Sequence, residues 1–551
     1  MIHITIKQAH DILMKTVSSF CRDRTMWLVI LLFAAANGIN YALLLPLWEG
    51  FDEPFHYSYV VELATKQTVP KLARSTLSTE IWQSLTFAPA SHVVQRNIPE
   101  LKTYGQYFAL SDQDRHELRS QLENIPVSYR GVPDPIHGNY EAHQPPVAYM
   151  LMAIPDGALS RCSLLTRIRA LRIFVVIFGI ALTACGTLAL CGEIGADGAF
   201  QWAALLMIFS CQMYYATTAR VANDWLAIPL AIWTIVTATR TWANPCWRTL
   251  IHFSSTLALG LLTKAYFLAL IPFFLGLIVL LCASRRLSVR IAIGATLAAG
   301  IVPTAWYARN FALYRSISAV PETVAGIGLA QVAGALFEVP WLGSAAYIAR
   351  GSLWTGNNQF NTFSRPTLDI ALVLLFVGWV LLARHSARRK EERHKVIIVS
   401  LVALSFVAAL AYSTAVSFIY SHGASAGASP WYAEVLLPPA IVGAMAGLAR
   451  SRLLGRILAM LQVVLWTYIM LASYLAKLIP QYGGRAAGAT HVSELVAWYT
   501  QDPHQIADIL GTTALGPMTA ILVLTPLVFI MGLISAGLVC TELMRSKDTS
   551  T

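Results

Sequence analysis

Apolar runs of about 20 residues recur along almost the whole of this chain, and they restrict its fold more than any other feature. A helix of about that length is needed to cross the hydrocarbon core of a bilayer. Only 13% of the 551 residues are charged, whereas a soluble chain carries roughly a quarter. The sequence therefore predicts an all-α polytopic membrane protein.

We identify twelve apolar segments, and two of them, at 250–263 and 266–283, could be half-length helices that break at Lys264. The other segments lie at 26–47, 172–191, 199–217, 225–239, 290–308, 368–383, 396–418, 431–449, 456–476 and 516–540. The basic N-terminus shows no evident cleavage site, so we expect residues 1–25 to lead into an uncleaved signal anchor. The eight cysteines form no CxxC pair and no Cys/His cluster, which argues against a disulfide framework or a zinc site.

The basic residues of the connecting loops predict how these segments are oriented. Lys and Arg concentrate in the short cytoplasmic loops of membrane proteins. Here they concentrate in alternate connections, at 284–290, 384–395 and 449–456. These loops and residues 1–25 are therefore expected in the cytoplasm, which leaves three long loops outside, at 48–171, 309–367 and 477–515. This topology accounts for the net charge of +11, and no nucleic-acid partner is predicted.

The first outer loop opens with "WEGFDEPFH", which places Asp52 and Glu53 side by side where the chain leaves the membrane. Pro54 suits the first turn of a helix, and either carboxylate could cap that helix. If the helix lies along the membrane, Asp52 and His56 face the same side because they are four residues apart. The alternative is that they do chemistry at the lipid surface, because a carboxylate or a histidine can take a proton from a hydroxyl.

Further polar residues are expected at the same membrane surface. A lone Lys or Arg that breaks or ends an apolar run, as Lys264 and Arg309 do, is costly and more often functional. The arginines between 161 and 172 could simply extend to lipid headgroups. Together these groups suit a site that binds a lipid phosphate and activates a hydroxyl. The candidates beyond the opening stretch are His143, Arg220, Asn223, Asp224, Lys264 and Arg309.

Five stretches, in this order, resemble motifs of the C-type membrane glycosyltransferases, which use polyprenyl-phosphate sugars as donors. The similar bacterial proteins are protein O-mannosyltransferase-like, aminoarabinose-transferase-like and related uncharacterised polytopic families. The stretches are "GFDEPFHYSYV", "EAHQPPVAYMLM", "RVANDWLAIPLA", "GLLTKAYFLALIPF" and "WYARNFALYRS". The resemblance implies a glycosyltransferase module at 26–320, whose long first outer loop carries interfacial helices, followed by a C-terminal membrane region at 321–551.

The resemblance also implies roles for individual residues. Asp52 would be the general base of an inverting displacement at the outer face, and Glu53 would orient the acceptor or cap the helix. The cations expected to stabilise the leaving phosphate are Arg309, Lys264 and Arg220. The residues expected to bind the sugar or the acceptor, unless they serve only in packing or capping, are His56, His143, Asn223 and Asp224.

The implied partners are a polyprenyl-phosphate sugar donor, a hydroxyl acceptor on lipid, glycan or protein, and membrane lipids. No cofactor is predicted. Some members of the superfamily use a divalent metal, but Asp52, Glu53 and His56 offer no metal-ligand spacing beyond i, i+4. One departure from the family is "SPWYAEVLLPP", which carries Glu434 and lacks the family's arginine.

Two other functional classes stay open. A flippase of lipid-linked glycans would carry ionisable groups in mid-span and often inverted repeats. An O-antigen ligase or polymerase shares this topology, and would place its key residues on a late loop such as 477–515. Mid-span charges are scarce in this sequence and the first outer loop is the richest in polar groups, which favours the glycosyltransferase.

Overall fold

The computed structural model describes residues 6–320, 326–425, 427–485 and 491–545. Within these residues, ten helices are long and apolar enough to cross a membrane. They are Arg24–Leu44, Leu164–Ile194, Asp224–Ala243, Ala265–Ala283, Val289–Tyr314, Arg365–Ser386, Lys390–Tyr420, Pro430–Ala449, Arg452–Tyr482 and Met518–Arg545. The first of them continues a helix that already begins at Ile6. The prediction of an all-α polytopic membrane fold is confirmed.

The remaining two of the twelve predicted segments form shorter helices. The segment at 199–217 is divided by an extended Cys211 into Ala199–Ser210 and Gln212–Thr218. The segment at 250–263 becomes the 15-residue helix Trp247–Leu261. After it the chain is extended at Lys264, and a 3₁₀ turn at Ala265–Leu270 leads into the helix Ile271–Ala283. The predicted break at Lys264 is therefore present.

Close helix contacts depend on small residues, as expected where there is no water to drive association. A Cβ atom added to Gly378 of the helix Arg365–Ser386 would lie 2.6 Å from the Cα atom of Ala444. One added to Gly443 would clash with the indole ring of Trp379. These glycines let the helices Arg365–Ser386 and Leu437–Ala449 approach along their backbones.

The first loop is a folded layer of short helices rather than an open connection. Its α-helices are Glu53–Lys66, Thr79–Phe87, His92–Asn97, Tyr104–Phe108, Asp112–Glu123 and Val147–Ala158. The strands Thr76–Ser78 and Pro133–Gly138 pair antiparallel within it. Side chains of Ser78, Ser91, Thr103 and Ser111 accept hydrogen bonds from the first turns that they precede, which explains where four of these helices begin.

The late loop packs onto this layer. Its helices are Val492–Gln501 and Pro503–Thr513. His116 Nε2 lies 2.8 Å from Asp508 Oδ1, and Arg119 donates a hydrogen bond of 2.9 Å to the carbonyl of Ala514. The middle loop contains the helices Leu329–Ala335 and Trp341–Gly351, and its Asn358 donates a hydrogen bond of 3.2 Å to the carbonyl of Gly50 in the first loop. The three long loops therefore supply helices to the same end of the bundle.

The basic connections meet at the opposite end. Arg450 forms an ion pair of 3.2 Å with Glu392, and Lys395 lies 4.0 Å from Glu193. Arg286 donates to the carbonyl of Trp242 over 2.7 Å. The connections that the positive-inside rule assigns to one side of the membrane therefore lie at one end of the molecule.

We predict that the end with the first loop faces outward. Ile136 is 78% exposed on the first loop, and Ala387 is exposed in a basic connection. A membrane-impermeant thiol reagent added to intact cells should label Ile136→Cys and leave Ala387→Cys unlabelled until the cells are opened, with the unmodified chain as the blank. Labelling of Ala387→Cys alone would invert the topology.

Candidate active site

Asp52 lies immediately before the helix Glu53–Lys66, where Pro54 occupies the first turn. Its backbone is left-handed, with φ of 57°, a conformation that is strained for a residue with a side chain. Its side chain makes no capping hydrogen bond to the helix. Instead, Asp52 Oδ1 accepts a hydrogen bond of 2.5 Å from the hydroxyl of Tyr140. The half-buried carboxylate is thus oriented by the loop and does not serve as the helix cap.

Glu53 has a different environment from its neighbour. Its side chain is fully buried, and its two oxygens accept hydrogen bonds from the guanidinium of Arg172. The backbone N–H of Val221 donates to Glu53 Oε1 over 3.0 Å. The remaining guanidinium donors of Arg172 go to the carbonyls of Ala42, Leu45 and Pro46. Glu53 was expected to be catalytic or a cap and Arg172 to reach the headgroups, but the structure places both in a buried ion pair.

Arg220, Asp224 and Lys264 form a buried triad. Arg220 Nη2 lies 2.7 Å from Asp224 Oδ2, and the ammonium of Lys264 binds the other oxygen of the same carboxylate. Arg220 also donates to the carbonyl of Phe51, the residue before Asp52. Burial lowers the pKa of Lys264, and the charge of Asp224 opposes that effect. Two cations share one carboxylate, so when Lys264 is protonated the triad carries one surplus positive charge next to Asp52.

Asn223 connects this triad to the first loop. Its side-chain N–H₂ donates to Gln144 Oε1 over 3.1 Å and to the carbonyl of Thr263 over 2.9 Å. It makes no side-chain cap on the helix Asp224–Ala243, although that was the alternative role. The amide therefore joins three segments that are far apart in the sequence, and its Oδ1 is buried without a hydrogen-bond partner.

His56 and His143 are buried and neutral. The hydroxyl of Tyr149 lies 2.7 Å from His56 Nδ1, and burial together with the charges of Arg220 and Lys264 lowers the pKa of His56. His143 Nδ1 donates to the carbonyl of Tyr140 over 2.6 Å, and burial lowers its pKa to about 4. At neutral pH both imidazole rings are uncharged, and each has one nitrogen that donates and one that accepts a hydrogen bond.

Glu141 was missed by sequence reasoning. It belongs to the polar cluster around Asp52, whose other members are Glu53, His56, His143, Arg220, Asn223, Asp224 and Lys264. Its Oε2 lies 3.7 Å from His56 Nδ1 and has no hydrogen-bond partner, although it is buried. Burial, reinforced by the negative charge of Asp52, raises the pKa of Glu141 to about 8. The one sequence signal was its position two residues before His143 in "YEAHQPP", a stretch expected at the same membrane surface as Asp52.

Arg309 lies apart from the triad. Its guanidinium donates to the carbonyl of Pro70 and to Asn310 Oδ1, each over 3.0 Å, and stacks over the ring of Trp306. It is half-buried, whereas Arg220 and Lys264 are buried. These hydrogen-bond acceptors are neutral, so they leave the charge of Arg309 available to an anion. The cluster at the end of the bundle thus has an internal cationic group and a more accessible one.

A metal centre is not evident among these side chains. Within residues 6–320, 326–425, 427–485 and 491–545, no group of three or more His, Cys, Asp or Glu side chains is arranged to hold a metal ion. What the cluster does offer is an accessible carboxylate, neutral imidazoles and cations at the end of a helical bundle.

No protein-family model matches this chain, and no curated protein matches it significantly. Among solved structures, the crystal structure of ArnT from Cupriavidus metallidurans bound to undecaprenyl phosphate is similar, with 12% identity and a TM-score of 0.46. That match covers 96% of this chain and 78% of the other. The structure of ArnT from the same organism in the apo state matches with 15% identity and a TM-score of 0.40, over 84% and 72% of the two chains. Both TM-scores are below 0.5, so these similarities do not support an assignment of function. Such an assignment has to rest on the side chains described above.

We predict that Glu53→Gln destabilises the protein. Removing one partner of a buried ion pair leaves the other charge unpaired, which costs about 3–5 kcal/mol. Thermal unfolding of the detergent-solubilised protein should show a clear loss. The matched control is Glu62→Gln on the same helix, where the carboxylate is partly exposed and lies 4.0 Å from Lys66. A Glu53→Gln protein as stable as the unmodified one would contradict the structural role.

Proposed function

We propose that this chain is a membrane glycosyltransferase that transfers a sugar from a polyprenyl-phosphate donor to a hydroxyl acceptor at the outer face of the membrane. The five stretches that resemble C-type glycosyltransferases support this proposal, as does the membrane fold. The single observation that carries it is the contrast between the carboxylates of the cluster. Asp52 is half-buried, whereas Glu53, Glu141 and Asp224 are buried.

Asp52 is the proposed general base of a single inverting displacement. The acceptor hydroxyl attacks the anomeric carbon, and its proton passes to the carboxylate of Asp52. The new carbon–oxygen bond forms as the bond between the anomeric carbon and the phosphate oxygen breaks, and polyprenyl phosphate leaves. The hydrogen bond from Tyr140 holds the carboxylate in one orientation while leaving its second oxygen for the acceptor.

The leaving phosphate needs fixed positive charge, because its charge grows in the transition state. Arg309 is the proposed direct contact, since it is half-buried and its hydrogen-bond acceptors are neutral. Lys264 and Arg220 are proposed to act from a greater distance through their charge, because both are buried and already bound to Asp224. Asp224 is then a positioning residue, because its carboxylate holds both cations in place.

The neutral groups of the cluster are proposed to bind sugar hydroxyls. His56 and His143 are uncharged at neutral pH, and Glu141 is protonated below about pH 8. A protonated carboxyl and a neutral imidazole can each donate and accept hydrogen bonds, as a hydroxyl ligand requires. Asn223 is assigned to holding this region together, since its amide N–H₂ already joins Gln144 to Thr263.

We predict that Asp52→Asn strongly reduces transfer without unfolding the protein. The asparagine oxygen can still accept from Tyr140, and no ion pair is lost, so thermal stability should stay near that of the unmodified chain. Transfer should fall by about a hundredfold or more, because an amide cannot take the proton. The measurement is transfer of radiolabelled sugar from a polyprenyl-phosphate donor to a panel of acceptors. Near-normal transfer by Asp52→Asn would remove Asp52 from the mechanism.

We predict that Arg309→Gln weakens binding of a fluorescent polyprenyl phosphate by about tenfold or more, as expected for a lost charged hydrogen bond. Arg315→Gln is the matched control, because Arg315 follows the same span and is exposed. It makes the same change in net charge at the same end of the molecule. Equal affinities of the two variants would show that Arg309 contributes only general electrostatic attraction.

A further inference from the structure

A cavity of about 520 Å³ lies beside the cluster, within the size range of small-ligand sites. It is an open cavity, lined by the helix Trp341–Gly351, by the end of the span Lys390–Tyr420 and by the stretch that runs up to Trp431 at the start of Pro430–Ala449. Its lining includes the side chains of Ser344, Tyr347, Phe360, Ser417, Ser429 and Trp431. None of these residues belongs to the cluster around Asp52, so the mechanism above leaves the cavity without a role.

The lining of this cavity is neutral and mixed. None of the described residues that line the cavity is charged, and none is Leu, Ile, Val or Met. Small residues expose backbone and hydroxyl groups, while three aromatic rings supply flat faces. A phosphate would be held poorly without Lys or Arg. A polyprenyl chain would be expected to select long aliphatic side chains, whereas the aliphatic residues that line this cavity are only alanine and proline.

Trp431 connects the wall of the cavity to the proposed catalytic residues by direct packing. Its indole stacks on the ring of Phe51, with ring centres 4.0 Å apart and planes 15° apart. Phe51 directly precedes Asp52, and its carbonyl binds Arg220. The next residue, Tyr432, places its ring 5.0 Å from the ammonium of Lys264. One wall of the cavity is therefore fixed to both the proposed base and the buried cations.

We infer that this cavity is the acceptor subsite and that it takes an uncharged saccharide. The inference rests on the proposed function and specifies its acceptor. Sugar rings combine apolar C–H faces, which pack on aromatic side chains, with hydroxyls, which hydrogen-bond to serine and backbone groups. The stacking of Trp431 on Phe51, the residue before Asp52, places this subsite on the side of the proposed base. The acceptor is then a neutral glycan, rather than a phosphorylated lipid or a peptide.

Gly343 gives a direct way to fill the cavity. A Cβ atom added there would meet no atom within 4 Å, and the residue is exposed on the helix Trp341–Gly351. Because Gly343 lines the cavity, Gly343→Phe adds a ring at its wall without a backbone clash. Gly343→Ala is the matched control, because it makes the same backbone change without filling the space. Tyr347→Ala is a second variant that removes a wall instead, and Tyr347 is 50% exposed.

The experiment measures binding of maltose, lactose and chitobiose to the full-length protein in nanodiscs by ligand-observed NMR, without donor. At least one disaccharide should bind the unmodified protein and Gly343→Ala equally. Gly343→Phe and Tyr347→Ala should each weaken that binding by at least tenfold while thermal unfolding stays unchanged. Phosphorylated disaccharide, a serine/threonine peptide and a polyprenol serve as competitors.

Several results would overturn the acceptor subsite. They are no binding by any of the three disaccharides, undiminished binding to Gly343→Phe, or stronger competition by the phosphorylated sugar, the peptide or the polyprenol. The assay needs no turnover, so it separates the two proposals. Saccharide binding without any transfer from a polyprenyl-phosphate donor would contradict the proposed function. Transfer from that donor by a protein that binds none of the disaccharides in the cavity would contradict this inference alone.

Discussion

The buried ion pair between Glu53 and Arg172 is the constraint on which the rest of the site depends. It joins the second span to the beginning of the loop helix, and the remaining donors of Arg172 bind carbonyls at the end of the first span. Removing two charges from water is costly, and the cost is offset only when every donor and acceptor is satisfied. Because the pair fixes Glu53 inward, the adjacent Asp52 turns through a left-handed conformation and directs its carboxylate toward Tyr140.

The cluster uses charge in two ways that follow from burial. Asp224 and Lys264, which are buried, are paired with each other and hold their segments together. Groups that are less enclosed, Asp52 and Arg309, have neutral hydrogen-bond partners and keep their charge for a ligand. A low-dielectric interior strengthens both effects, since it penalises an unpaired internal charge and increases the attraction of an accessible one.

The second half of the chain completes this arrangement. Asn358, from the stretch "SLWTGNNQF", donates to the carbonyl of Gly50 over 3.2 Å. Asn357 accepts from the hydroxyl of Tyr41 over 2.5 Å and donates to that of Tyr482 over 2.8 Å. These contacts cross the boundary expected at residue 320. The turn that presents Asp52 is therefore held by residues that precede this boundary and by residues that follow it. They also give that stretch a structural role that no sequence pattern suggested.

The sequence by itself determined the membrane class, the approximate positions of the apolar helices and the break at Lys264, because hydropathy is a local property of consecutive residues. It also selected Asp52, Lys264 and Arg309, because a charge beside an apolar run is visible without a fold. Only the tertiary structure decided which of two adjacent carboxylates is accessible. Asp52 and Glu53 are adjacent in the sequence. Their roles differ because the guanidinium of Arg172, 119 residues further along the chain, binds Glu53. Glu141 and the neutral cavity beside Trp431 depended on tertiary structure for the same reason, since burial and proximity arise between segments that are distant in the chain.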